Sequence, residues 1–225
     1  MPVDPEAPIE VTAYNWVPPL AVGLVKDMRV RWALEEIELP YRERLLGGAG
    51  GEKSAGHIAD QPFGQVPVYK EAGLTLFESG AILIHLGEKD ERLLPHDPNF
   101  RARAIGWMIA ALNSVEPFTQ MLFMMGFVGA GRDWQEEAKD AVRPFAEMRL
   151  AQLSGALGEK EWLEDSFTIG DLVMIDVLRA AREPGLVAAH PNLVTYVERG
   201  TTRPAFKAAM DAQLAVFERN EPVTA

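Results

Sequence analysis

The residues able to do chemistry lie closest together between Gln61 and Ile84. Val66-Pro-Val-Tyr69 and Leu74-Thr-Leu-Phe77 are short β-prone runs joined by four residues that include Gly73, which predicts a hairpin. Glu78 and Ser79 follow directly, ahead of Ile82, Leu83 and Leu86, whose spacing marks one face of a helix. Ser79 therefore sits where a strand hands over to a helix. There its hydroxyl, unpaired backbone N–H groups and the positive end of the helix dipole can hold a carboxylate. Pro67 cannot donate to a ladder, so it marks a sheet edge or a special geometry. A cis Val66–Pro67 bond would turn the Val66 N–H and C=O outward, free to pair with a short extended peptide. The stretch offers backbone pairing for a peptide's middle and an anion site for its end.

Positioning those groups requires a sheet. Residues 11–16 alternate and predict a strand, whereas 17–23 are too rich in Pro and Gly for a regular element. From about Lys26 to Glu38, Val30, Ala33, Leu34 and Ile37 fall at helical spacing, and Pro40 ends that helix. Residues 41–46 predict a second strand, completing a βαβ unit whose strands run parallel. The five glycines between Leu46 and Asp60 predict an irregular excursion. The order β-α-β, loop, β-β-α is that of a thioredoxin-like α/β domain over 9–88. Residues 89–100, with Pro95, Pro98 and five charges, read as a linker, and 101–221 as an all-helical domain. Ile105, Met108, Leu112 and Val115 step by three and four, as do Trp134, Ala138, Ala141, Phe145 and Met148, with Pro144 expected to kink or split that second helix. Thr168-Ile-Gly-Asp171 is a capping box, and Phe206, Met210, Leu214 and Phe217 form a last stripe.

Phe63-Gly-Gln-Val-Pro67, the hairpin, and Glu78-Ser-Gly-Ala-Ile82, in that order and spacing, resemble the glutathione-binding segment of the cytosolic, bacterial-type glutathione transferase family. Leu94-Pro95, the Thr168/Asp171 box, His190-Pro-Asn-Leu193 and Arg203-Pro-Ala-Phe206 resemble that family's linker and helical domain, so the likeness runs from about Val11 to Phe217. The resemblance implies a cis Pro67, with Val66 pairing to the cysteinyl backbone. It also implies Glu78 and Ser79 on the γ-glutamyl group, and Gln65 as a flanking contact. Glutathione would be a co-substrate, the second substrate a small apolar electrophile, and the assembly a homodimer acting in detoxification.

Composition sets limits. A net charge of −11 argues against nucleic acid or an anionic membrane as partner. No apolar run reaches membrane-spanning length, and residues 1–10 hold three prolines and three acids, unlike a signal peptide, so a cytoplasmic protein is expected. Cysteine is absent, which excludes disulfides, thiolate metal sites and a protein thiol nucleophile, and with it the family's thiol–disulfide exchange members. The histidines at 57, 85, 96 and 190 lack metal-ligand spacing, so no metal is expected. Gly47-Gly-Ala-Gly-Gly51 lacks the Lys-Ser/Thr of a phosphate loop.

A free thiol titrates at about 8.5, so neutral glutathione is only slightly ionised and needs a donor aimed at sulfur. In the family that donor is a Tyr at the end of the first strand, or a Ser, Thr or Cys at the start of the first helix. Here no Ser, Thr, Tyr or Cys lies between Trp16 and Met28. Tyr14 is the hydroxyl near the strand end. The Asn15 amide, the Trp16 indole and a loop N–H are rivals, and a fold that binds without turnover also fits. Lys26, Arg29 and Arg31 outweigh Asp27 around the first helix, and Lys53 or His57 could meet the glycyl carboxylate. Trp107, Phe118, Met121 and Met125 are candidate walls of an electrophile pocket, read against an ordinary helical core. The expected function is conjugation of glutathione thiolate to apolar electrophiles. Alternatives are a non-catalytic binding or assembly protein, or a glutathione-dependent isomerase, peroxidase or ether-cleaving enzyme.

Overall fold

The computed structural model describes residues 2–48, 53–181 and 183–221. Along the chain come β1 (Ile9–Tyr14), α1 (Asp27–Glu36), β2 (Tyr41–Leu46), α2 (Ala55–Asp60), β3 (Val68–Glu71), β4 (Leu74–Phe77) and α3 (Ser79–Gly87). Then follow α4 (Pro98–Ala110), a π turn (Ala111–Val115), α5 (Glu116–Val128), α6 (Gln135–Leu157), α7 (Ile169–Ala180), α8 (Pro191–Thr201) and α9 (Pro204–Arg219). The contacts divide the chain into two compact units, Met1–Leu93 with Arg203–Ala225, and Leu94–Thr202.

In the first unit the sheet order is β2-β1-β3-β4. β1 and β2 are parallel, as a helical crossover requires, while β3 runs antiparallel to β1 and β4 antiparallel to β3. The hairpin loop is shorter than its sequence suggests. β3 continues to Glu71, and Ala72 (φ 47°) and Gly73 (φ 86°) alone make the turn. Two successive positive φ values define the tight hairpin turn whose twist suits flanking strands. The glycine-rich excursion contains a short helix, α2, which Ser54 caps by accepting the His57 N–H at 3.2 Å; residues 49–52 of that excursion lie outside the described residues.

Every residue of α1 from Asp27 to Leu34 is buried. The cause is α9, which the sequence reading groups with the helical half but which packs on α1 instead. Phe206 meets Trp32 edge-on at 4.9 Å, Arg203 grips Glu36 in two bonds of 2.6 and 2.7 Å, and Gln213 donates to Asp27 at 2.9 Å. Within this layer Arg31 bonds Asp27 at 2.6 Å and pairs also with Glu43. Burial raises the Asp27 pKa, opposed by the Arg31 charge beside it.

In the second unit α7 is the core helix, buried from Ile169 to Leu178. The capping box forms as the sequence predicts: Thr168 Oγ1 accepts the Gly170 N–H and Asp171 accepts the Thr168 N–H. Asp171 also takes the Leu163 N–H and the Tyr196 hydroxyl, each at 2.8 Å, so one buried carboxylate ties α7 to α8 and to the segment before it. Gly170 is required by close approach, since a Cβ there would lie 2.9 Å from the Ala104 carbonyl oxygen and the Trp107 Cβ. α6 passes through Pro144 as one helix and is not split.

Candidate functional site

Strand register brings the residues singled out in the sequence to one end of the first unit. β1 and β3 pair Glu10 with Lys70 and Val11 with Tyr69. Thr12 Oγ1 accepts the Val68 N–H at 2.6 Å, one step further along. Continued, this register sets Val66 level with Tyr14. β3 and β4 pair Val68 with Phe77, which sets Pro67 level with Glu78, one residue before Ser79. The end of β1, the entry to β3 and the N-terminus of α3 therefore share a sheet end.

The Val66–Pro67 bond is cis, as expected. Val66 is buried, and among the described residues no hydrogen bond reaches its main chain. Gln65 is exposed, but its carbonyl is fixed from behind by the fully buried His57, whose Nε2 lies 2.9 Å away and donates to it. Burial lowers the His57 pKa, so the ring is neutral and its Nδ1 is a buried acceptor without a partner.

Glu78 precedes α3 with φ 67° and is exposed; its side chain caps nothing. A positive φ on a non-glycine residue of this kind disfavours the backbone by about 1–3 kcal/mol, and such residues gather at ligand sites. The first helical bond runs from the Ile82 N–H to the Glu78 carbonyl, which leaves the Ser79, Gly80 and Ala81 N–H groups uncommitted among the described residues. Ser79 is 6% exposed, and its Oγ accepts Arg29 Nη1 at 3.4 Å. With the oxygen engaged as an acceptor, its hydrogen is left to donate outward, and a buried guanidinium adds positive charge behind the helix end.

Tyr14 is half-buried beside Val17, Val216 and Phe217. Burial raises its pKa, with the Asp27 charge as second cause, so the phenol keeps its proton and can donate. The hydroxyl has no protein partner among the described residues. Lys53 Nζ lies 4.4 Å over the ring, is itself buried without a hydrogen bond, and has its pKa lowered by burial. Asn15 and Trp16 are half-buried; the Asn15 N–H extends the β1–β2 ladder to Leu46 at 2.8 Å, and Trp16 packs beside Gly48. Pro19–Ala21 forms a single 3-10 turn.

The positive patch read around α1 is built differently from its sequence appearance. Arg31 is enclosed by Asp27 and Glu43, and Arg29 is turned inward to Ser79. Sequence spacing could not reveal the Arg29–Ser79 and His57–Gln65 bonds, because each joins segments that only the folded sheet brings together. The groups present are an unpaired main chain at Val66 and, at the start of α3, the Ser79 hydroxyl with three uncommitted N–H groups, a set that can pair with a short extended peptide and hold a carboxylate.

The four pocket residues read from the helical half all fall in the second unit, in different settings. Trp107 donates its indole N–H to Glu164 at 2.9 Å and lines a cleft with Arg149 and Met174. Phe118 stacks on Phe145 at 5.7 Å. Met121 is exposed, and Met125 is half-buried. Among the described residues no cluster of three or more His, Asp or Glu could hold a metal ion, and no helix is long and apolar enough to cross a membrane.

A family model described as the N-terminal domain of glutathione S-transferase matches residues 10–88. Glutathione S-transferase GstB of Escherichia coli (strain K12) is 31% identical over 187 residues, spanning 80% of this chain and 89% of that one. Disulfide-bond oxidoreductase YfcG of the same strain is 27% identical over 200 residues, spanning 80% and 88%. The theta class glutathione S-transferase from Xanthomonas axonopodis pv. citri, solved with glutathione bound, matches with a TM-score of 0.75 at 25% identity, over 91% of this chain and 97% of that one. A thioredoxin-like sheet joined to helices, the motif order around Val66 and Ser79, and relatives matched over most of their length have one common meaning: the chain belongs to the glutathione S-transferase family.

Proposed function

We propose that this chain is a non-cysteine glutathione transferase that conjugates glutathione thiolate to small apolar electrophiles. One observation carries the reading. A buried serine backed by a buried arginine opens α3, level with a strand entry whose main chain is unpaired. Val66 and Pro67 form the edge that pairs with the tripeptide backbone, Glu78 and Ser79 hold the γ-glutamyl end, and Gln65 flanks them. Lys53, whose ammonium makes no hydrogen bond among the described residues, takes the glycyl carboxylate. Tyr14 donates its phenolic hydrogen to sulfur, with Asn15 and Trp16 as rivals, and proximity supplies the remaining acceleration. Trp107, Phe118, Met121 and Met125 contribute to the electrophile's surroundings. The functional division is 9–88, 89–100 and 101–221; the setting is cytoplasmic detoxification, and the assembly is a homodimer.

Retention on immobilised glutathione, combined with ultraviolet thiolate absorbance of the bound tripeptide at neutral pH, tests this reading. Retention with thiolate and conjugation of a model electrophile is the expected result. Retention without thiolate identifies a binding protein instead, and no retention removes the reading altogether.

The relative named a disulfide-bond oxidoreductase favours a second reading. Exchange driven by a protein thiol is impossible here, because the chain has no cysteine. Two glutathione molecules can nevertheless supply both thiols, leaving as glutathione disulfide while the substrate disulfide becomes two thiols. The same tripeptide groove serves that reaction, and turnover of a model disulfide without conjugation would select it.

A further inference from the structure

The short helix α2 buries one side chain, His57, and buries it completely. Its Nε2 lies 2.9 Å from the Gln65 carbonyl oxygen, and a carbonyl only accepts, so Nε2 carries the imidazole hydrogen. Nδ1 is then a buried acceptor with no partner among the described residues. An apolar ring of similar size would fill the same space without a desolvated nitrogen. What the imidazole adds is one hydrogen bond.

That bond decides where the next peptide group points. The Gln65 C=O and the Val66 N–H belong to one planar unit, and it is trans, since Val66–Pro67 is the cis bond among the described residues. In a trans unit the C=O and the N–H point in opposite directions. A carbonyl drawn inward to His57 therefore aims the Val66 N–H away from α2, and that N–H has no partner among the described residues. The flanking segments are held by other means. On the far side of Pro67, Thr12 Oγ1 accepts the Val68 N–H at 2.6 Å. On the near side, the Gly64 N–H reaches the Gln61 carbonyl at 2.9 Å and the Phe63 N–H reaches Gln61 Oε1 at 2.6 Å. Among the described residues, His57 alone bonds the Gln65–Val66 unit.

We propose that His57 is a positioning residue for glutathione: by holding the Gln65 carbonyl it presents the Val66 N–H to the backbone of the tripeptide. The identity of the ligand rests on the transferase reading, whereas the direction of the Val66 N–H does not.

Titration calorimetry with glutathione on the native chain and two variants tests this role. His57→Phe keeps a ring and removes the donor, and is expected to weaken glutathione by about 3- to 10-fold, the loss of one hydrogen bond between uncharged groups. His57→Gln retains an amide donor and is expected to bind within about twofold of the native chain. In turnover, His57→Phe should raise KM for glutathione while kcat at saturating glutathione holds within about twofold, because the bond sets the tripeptide's backbone and not its sulfur. A purely structural role would lower the fraction of binding-competent protein and leave the affinity of the remainder unchanged. Imidazole nitrogen chemical shifts of the native chain are expected to show the Nε2–H tautomer, a measurement that decides even where a variant fails to fold. The Nδ1–H tautomer, unaltered affinity in His57→Phe, or equal loss in His57→Phe and His57→Gln each overturns the proposal. A native chain that gives no heat with glutathione removes the transferase reading and this role with it, whereas native binding that His57→Phe leaves untouched removes this role alone.

Discussion

In the proposed reaction, Ser79 and Tyr14 divide binding from chemistry at the scale of single residues. Ser79 is nearly buried and its oxygen accepts from Arg29, which leaves its hydrogen available as a donor. Replacing it with Ala removes one hydrogen bond to a charged group, about 1.5–3 kcal/mol. Glutathione affinity in Ser79→Ala is therefore expected to fall by roughly 10- to 150-fold, measured by calorimetry. Tyr14 has a different profile, with a free, protonated phenol raised by burial rather than activated. Tyr14→Phe keeps the ring that packs on Phe217 and lies under Lys53, so glutathione binding should hold while conjugation slows by about 10²- to 10⁴-fold. Steady-state kinetics separates the two effects, and undiminished turnover would pass the donor's role to Asn15 or Trp16. Both residues stood out in the sequence by type and spacing. Arg29 stood out only as one charge of a positive patch around the first helix, because its bond to Ser79 joins residues fifty positions apart.

At the scale of elements, α1 is the least ordinary piece, a helix buried all round with ion pairs inside it. Arg31 balances Asp27 and Glu43, and Gln213 from α9 completes the set around Asp27. Arg31→Met leaves two carboxylates uncompensated, which is expected to destabilise the protein by about 3–5 kcal/mol, read from the urea midpoint. At the other end of α1, burial pushes the Glu35 carboxyl up to about 7, against an ordinary glutamate value of about 4.5. Above pH 7 Glu35 is ionised in both states, but only the native state holds that charge partly desolvated. As pH falls through 7 the native state takes up a proton before the unfolded one, so this penalty shrinks and is gone below about 4.5. Glu35→Gln is therefore expected to raise the melting temperature at about pH 8 and to match the parent at about pH 4. The hairpin, the βαβ unit and the Thr168 capping box were legible in the sequence because each is local, set by alternation, turn residues or a three-residue spacing. α2 was hidden among glycines. The attachment of α9 was hidden because its Phe206, Met210, Leu214 and Phe217 stripe states that the helix buries a face, without stating against which element.

At the scale of the whole molecule, the surface carries two regions of apolar side chains that isolated folding leaves uncovered. In the second unit Met121, Met124, Phe127 and Val128 of α5 and Phe145 and Met148 of α6 are exposed, Phe127 to 55%. In the first unit Phe63, 70% exposed, meets Phe77 edge-on at 6.4 Å, with Leu74 also exposed on the same strand. Single exposed apolar residues need no explanation, but clusters on adjoining turns mark surfaces that another molecule covers. Net charge does not substitute for such cover. At −11 it keeps molecules apart at long range, yet the Debye length is about 8 Å at physiological salt, so apolar faces can still meet. The proposed homodimer gives a cover of the right chemistry, because a two-fold interface buries the same patch on both copies. Sedimentation equilibrium at low micromolar concentration is expected to return twice 24.8 kDa, and Phe127→Glu, which places a charge in the middle of the α5 cluster, to shift the chain toward monomer. Because Phe127 is exposed in the single chain, its replacement leaves the fold intact, and unfolding curves taken at one fixed protein concentration distinguish lost association from lost structure. A parent that sediments at 24.8 kDa, or a Phe127→Glu variant that stays dimeric, would remove α5 as the contact and leave the Phe63–Phe77 face as the surface to test next.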